Sequence, residues 1–218
     1  MKKTILSCVF GSIAIGIVLL NFIGCKGQAN PENNKPKVYK IGDEGPGGGI
    51  VFYFDEKGFT VYDGEGGEEV CHYLEMSKNY IGKLEEKEDE GCGWFPEFSE
   101  IKTQEGIGYG KSNTRSILRT KASKELTGAN CAALRCSKYA TKTAQEGEWW
   151  LPSKDELKLI FDNQKKLVRK TSPDSVPWYW SSTAKDNIYV WCHNFSDGSQ
   201  SDWNKDYENN AVRAIRAF

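Results

Sequence analysis

Apolar and polar positions divide the chain into three stretches. Residues 5–23 form an almost uninterrupted apolar run behind Lys2 and Lys3, residues 26–37 (KGQANPENNKPK) show no apolar periodicity, and from Val38 onward apolar positions recur at strand and helix spacings. Residues 50–54 (IVFYF) read as a strand, and 59–62 as a second beyond the turn at Glu56-Lys57-Gly58. Asn113-Thr114 opens a helix predicted over 114–123. A second helix over 128–142 places Ala129, Ala132, Ala133, Cys136 and Ala140 on one face at i, i+3, i+4, i+7 spacing. Ser153 and Glu156 form a capping box for a third helix from Lys154, whose Leu157, Ile160 and Phe161 face the core. From Pro177 the pattern is all β: strands at 178–183 and 188–195, a turn at 196–199, and a final strand at 211–218. Arg213 and Arg216 fall on opposite faces of that last strand and need acidic or carbonyl partners. The order predicts an α+β fold, with two or three helices packed on small twisted antiparallel sheets after an N-terminal signal segment.

The first stretch carries the strongest location signal. A basic start, an apolar core and the close Phe22-Ile23-Gly24-Cys25 are the layout of an export signal. A cysteine directly after Gly24 resembles the lipobox of bacterial lipoproteins, in which the thiol takes a diacylglycerol before cleavage. The expected organisation is a signal peptide at 1–24, lipidated Cys25 with a flexible tether at 25–37, and one domain at 38–218. The competing reading is an uncleaved membrane anchor, because the apolar run approaches the length of a bilayer span. The expected location is the bacterial envelope, with membrane lipid as a partner through acylated Cys25. The outer membrane is favoured, and Lys26 brings no aspartate-type retention signal against surface display.

Charge and cysteine content narrow the remaining classes. Losing Lys2 and Lys3 from 29 basic residues leaves 27 against 30 acidic ones, so no basic footprint for nucleic acid exists. Cys8 leaves with the signal and Cys25 is lipidated, which leaves Cys71, Cys92, Cys131, Cys136 and Cys192 in a disulfide-permissive compartment. No two-residue cysteine pair recurs and only two histidines exist, unlike a zinc site. Cys131 and Cys136 sit about 140° apart on a helix and are not expected to bond; Cys71 with Cys92 is the preferred pair.

Two conspicuous stretches read as structural. Residues 42–49 (GDEGPGGG) precede a strand rather than a helix and no GK[ST] follows, so a tight turn is expected there in place of a phosphate loop. The charge run at 83–90 (KLEEKEDE) reads as a solvated loop.

Six blocks then occur in a familiar order: 39–53 (YKIGDEGPGGGIVFY), 107–114 (IGYGKSNT), 149–157 (WWLPSKDEL), 179–183 (YWSST), 194–200 (NFSDGSQ) and 212–218 (VRAIRAF). Together they resemble the C-terminal domain of the Legionella collagen-like protein, across nearly all of 38–218. The resemblance implies a C-type lectin-like fold, with chain ends close together and the ligand site on the later loops. It implies a non-catalytic recognition module, adhesin-like, for a protein or glycan ligand and without a cofactor.

The candidate ligand-binding residues are Trp191, His193, Asn194, Asp197, Gln200, Asp202, Trp203, Asn204, Lys205 and Tyr207, a mixture of rigid aromatic area and short polar groups. Trp191 is expected in the core and Trp203 on the surface. Asp202, Asn204 and Asp206 form a weaker calcium grouping, without the Glu-Pro-Asn partner of calcium-dependent lectins. Two alternatives remain: a structural envelope lipoprotein without a ligand, and a formylglycine-generating-enzyme-like enzyme. Such enzymes use a pair of cysteines near the C-terminus, where this chain has only Cys192, and neighbouring His193 should point to the opposite face.

Overall fold

A computed structural model describes residues 37–81, 92–95, 98–120, 126–127, 130–167, 177–208 and 210–218. The signal segment, Cys25, the tether up to residue 36 and the charge run at 83–90 lie outside them.

Strand β1 (Ile50–Tyr62) is continuous where the sequence predicts two strands. The Glu56-Lys57-Gly58 turn is absorbed as an irregularity, with the register passing from Phe54 opposite Tyr73 to Phe59 opposite Cys71. Gly58 permits this through its φ of +80°. β1 pairs antiparallel with β2 (Glu68–Met76), whose polar outer half hides its strand character from a hydrophobicity scan.

Helices α1 (Gly110–Leu118), α2 (Ala132–Ser137) and α3 (Lys154–Asn163) follow, the last running into a 3₁₀ turn at Gln164–Lys166. Strands β3 (Trp178–Ala184), β4 (Tyr189–Asn194) and β5 (Gln200–Asn204) form a second antiparallel sheet, and β6 (Ile215–Ala217) returns to pair with β2. The fold is α+β: among the described residues, three helices with two antiparallel three-stranded sheets.

The glycine-rich loop wraps a buried carboxylate. Glu75 is fully buried and accepts the amides of Gly47 (2.8 Å) and Gly49 (2.9 Å) and Arg216 Nη1 (2.9 Å). A Cβ at Gly45 or Gly47 would lie 2.5 Å from that carboxylate, and one at Gly49 would lie 2.5 Å from the Met76 carbonyl. The loop therefore needs glycine to approach Glu75, and the ion pair ties β2 to β6. Arg213, also buried, donates to the Ser77 carbonyl at 2.8 Å, so one arginine takes a carboxylate and the other a carbonyl.

A second buried carboxylate fixes the helices. Ser153 and Glu156 make the expected capping box on α3, and Glu156 also accepts the Gly108 amide at 2.8 Å. That bond draws the GIGYG loop onto α3, and α1 starts at Gly110, where a Cβ would run into the Glu156 carboxylate. This is four residues before the expected start. Helix α2 stops at Ser137 rather than 142 because Thr141 Oγ1 accepts the Thr143 and Ala144 amides and donates to the Gly47 carbonyl, turning the chain away.

The expected final strand shortens for a related reason. Asn210 bridges to Cys92, Ala211 lies parallel to Tyr179, and Ile215 bridges to Trp150. The backbones of Val212 and Ala214 accept Ile81 and Ser77. One segment thus fastens both sheets, and only its end is regular. Two hydrophobic clusters result. The first gathers Cys92, Trp94, Cys131, Cys136, Trp149, Trp180, Val190 and Cys192; the second gathers Phe52, Cys71, Leu74, Leu157, Ile160, Tyr179 and Ile215. The expected Cys71–Cys92 bridge is not formed, because the two residues are buried in different clusters.

Candidate recognition surface

The β3–β4–β5 sheet gives the C-terminal half two different faces. Strand β3 is nearly all buried and holds the sheet on the core: Trp180 Nε1 donates to the Cys92 carbonyl, and Trp94 Nε1 donates to the Ser181 carbonyl at 2.7 Å. Strand β4 alternates. Val190 and Cys192 enter the first cluster, and Trp203 opposite Val190 packs against the same cluster. Tyr189 and Trp191 take the outer face, opposite Asn204 and Asp202, while His193, opposite Gln200, lies farther along that side where Phe161 of α3 covers it.

This alternation departs from the expectation for both tryptophans, which are each half-buried. Trp191 belongs to neither cluster, whereas Trp203 packs against the first and leans on Trp178 (5.4 Å between ring centres) and Tyr207 (4.5 Å). The cause is strand β5, which a polar sequence (QSDWN) concealed. Once it pairs with β4, Trp203 is brought opposite Val190 on the inner side.

On the outer face, Lys154 Nζ stands 3.8 Å from the centre of the Trp191 ring and Lys185 Nζ 5.7 Å from it. Lys154 also pairs with Glu105 (3.1 Å) and Lys185 with Asp202 (2.9 Å). Tyr189, 40% exposed, completes the patch beside Asn204. The arrangement offers aromatic area, two ammonium groups and two carboxylates on a rigid strand pair. Each charged group is already oriented by a partner, which suits hydrogen-bond exchange with an incoming polar ligand. Tyr189, Lys154, Lys185 and Glu105 were not among the sequence candidates. Lys154 and Glu105 are distant in sequence and reach Trp191 through the start of α3, while Lys185 comes back to it across the β3–β4 turn.

Other candidates serve the scaffold. His193 is buried between Phe161 (5.0 Å) and Phe195 (5.4 Å), with Nδ1 3.3 Å from Gln200 Nε2, and burial lowers its pKa to about 4. It is a neutral core ring and Gln200 is its partner. Lys205, a ligand-binding candidate, is fully buried: Nζ donates to the Ser99 (2.9 Å) and Asn187 (3.0 Å) carbonyls and faces the Trp94 ring at 5.3 Å. Burial lowers its pKa to about 8. Asn194 Oδ1 accepts the Ser196 amide, and Asp197 accepts both the amide and the hydroxyl of Ser199, which hold its pKa below the usual carboxylate range. These two shape the β4–β5 turn.

Asp202 of the calcium grouping turns to Lys185, and Asn204 Oδ1 caps the Asp206 amide at 3.5 Å. Among the described residues no three His, Cys, Asp or Glu side chains come together as a metal cluster. Cys192 lies against Asn210 Nδ2 (3.4 Å), and burial pushes its thiol well above the ordinary value. Its neighbour His193 packs against Phe161 and Phe195 on the opposite side of the strand.

No curated protein matches the chain. The family model for the Lcl C-terminal domain matches residues 91–216, more than half of the chain, from the Cys92 bridge through all three helices and the whole β3–β4–β5 sheet. By that match, and by the order of its sequence blocks, this chain belongs to the Lcl C-terminal domain family.

Proposed function

We propose that the protein is a lipid-anchored envelope protein whose C-type lectin-like module binds a protein or glycan through the outer face of β4 and β5. The observation that carries this reading is the Trp191 site: an aromatic ring on a rigid strand, bracketed by Lys154 and Lys185 and joined by exposed Tyr189. Packing against the first cluster accounts for Trp203 and burial accounts for Lys205, but neither accounts for a tryptophan outside both clusters with cations at its face. The anchor reading is supported by Cys25 behind its signal-like segment. The close approach of Tyr39 to Phe218, 5.2 Å between ring centres, supports the lectin-like reading, in which chain ends lie together.

Two measurements test it. Cells fed labelled palmitate should yield labelled, detergent-partitioning protein, and Cys25→Ser should abolish both; a labelled Cys25→Ser variant removes the anchor. Purified full-length protein in detergent should be retained by a member of an array of matrix proteins and glycans. Retention by none would favour a structural envelope role.

A further inference from the structure

The β1–β2–β6 sheet carries aromatic surface of its own. Phe54 stacks on Tyr73 at 4.8 Å between ring centres, Tyr73 stacks on Phe218 at 5.1 Å, and Tyr39 meets Tyr73 and Phe218 edge-on at 5.6 and 5.2 Å. The four rings form one continuous ladder, every member at least partly exposed. Phe54 is 46% exposed, and two further apolar side chains on these segments, Val38 and Val70, are 77% and 66% exposed. Contiguous apolar surface of this kind marks an interaction site. The neighbouring charges in the chain are mixed in sign: Lys37, Lys40 and Lys57 with Asp55, Glu56 and Glu69.

The ladder stands where the chain enters the domain. Val38 and Tyr39 follow directly on residues 25–37, a segment that can reach at most about 45 Å from Cys25 at full extension. We propose that the Tyr39–Phe54–Tyr73–Phe218 ladder docks on the headgroup region of the membrane that holds Cys25. The proposal rests on the lipid-anchor reading. Tyrosine and phenylalanine rings with a polar or exposed edge suit the membrane–water boundary. The short connection makes this second contact intramolecular, so a patch too weak to bind vesicles alone is held down by the anchor. With no excess of basic residues, the fitting partner is a zwitterionic lipid surface, and docking should resist high salt. Docking by this sheet would fix which side of the domain faces the membrane.

The test uses the full-length acylated protein in phosphatidylcholine vesicles, with an environment-sensitive dye on Val70→Cys. The five described native cysteines are buried, which directs the dye to position 70. Flotation with the vesicles reports the anchor, and the dye reports docking. The expected result is flotation with blue-shifted emission that persists in high salt and is lost in Phe54→Ser or Val38→Ser, each with the parent's melting temperature. Flotation with water-like emission overturns docking and leaves the anchor standing. Failure to float overturns both. A blue shift that grows with protein concentration in the absence of vesicles assigns the ladder to contact between copies and overturns the membrane proposal.

Discussion

Replacing Lys205 by Met probes a buried ammonium held only by carbonyl oxygens and a ring face. Its pKa falls from 10.5 to about 8 because burial disfavours the charge, with Asp186 opposing the shift in part. The unfolded chain therefore binds more protons than the folded one between pH 8 and 10.5, and this group makes stability rise with pH across that window. At about 1.4 kcal/mol per pKa unit, the gain from below pH 8 to above 10.5 is at most about 3 kcal/mol. The difference at pH 7 alone does not decide the matter. Met removes the charge-burial cost but leaves the Ser99 and Asn187 carbonyls without their donor, and the two effects are of similar size, about 1–3 kcal/mol for each orphaned group. The pH slope does decide it. Urea unfolding followed by tryptophan fluorescence should be run on both proteins from pH 7 to 10.5. Burial raises the Cys92 and Cys131 thiols to about 12 and about 11, so their titration erodes stability above pH 9, but it does so in both proteins and cancels in the difference. Wild-type stability relative to Lys205→Met should climb steadily through the window. A flat difference would mean that the ammonium is solvated and that Lys205 belongs to the ligand surface after all.

Three further outcomes follow from the core. Glu156 has its pKa raised to about 7 by burial, so the stability from its neutral form is complete below 4.5 and lost as pH rises through 7; wild type relative to Glu156→Gln should fall by up to about 3 kcal/mol between those values, and a pH-independent difference would show the carboxylate already ionised. Leu157→Ala should cost about 2–5 kcal/mol in chemical denaturation because the side chain is fully buried on α3, and a loss below about 0.5 kcal/mol would remove it from the core. Gly49→Ala drives a Cβ to 2.5 Å from the Met76 carbonyl, a backbone atom that cannot rotate aside; melting should show a loss of about 1–3 kcal/mol, and wild-type stability would refute the glycine-cradle account.

Elements stated by local chemistry were legible in the sequence. The Ser153–Glu156 capping box, the Leu157–Ile160 face and strands β3 and β4 stand where the pattern put them. Elements set by distant partners were not. Strands β2 and β5 carry polar residues on their outer positions, so their pairing is visible only once β1 and β4 are beside them. Residues 42–49 gave the glycine turn but not its reason, which is Glu75 26 residues beyond Gly49. The candidate site was half legible. Trp191 and Asp202 meet on the outer face, whereas a short polar stretch gave no sign that Lys205 would be buried or that Trp203 would turn inward.

The different packing of the two tryptophans supplies the most direct test of the recognition face. The array ligand retained by the wild-type protein should be titrated against two variants, Tyr189→Ala/Trp191→Ala and Trp203→Ala/Asn204→Ala/Tyr207→Ala, with melting measured on each. The account predicts that the Tyr189/Trp191 variant keeps a near-wild-type melting temperature and loses binding, while the Trp203 variant melts early because it strips the aromatic pair that packs against the first cluster. Undiminished binding by a folded Tyr189→Ala/Trp191→Ala variant would contradict the account and move the site off the outer face of β4 and β5.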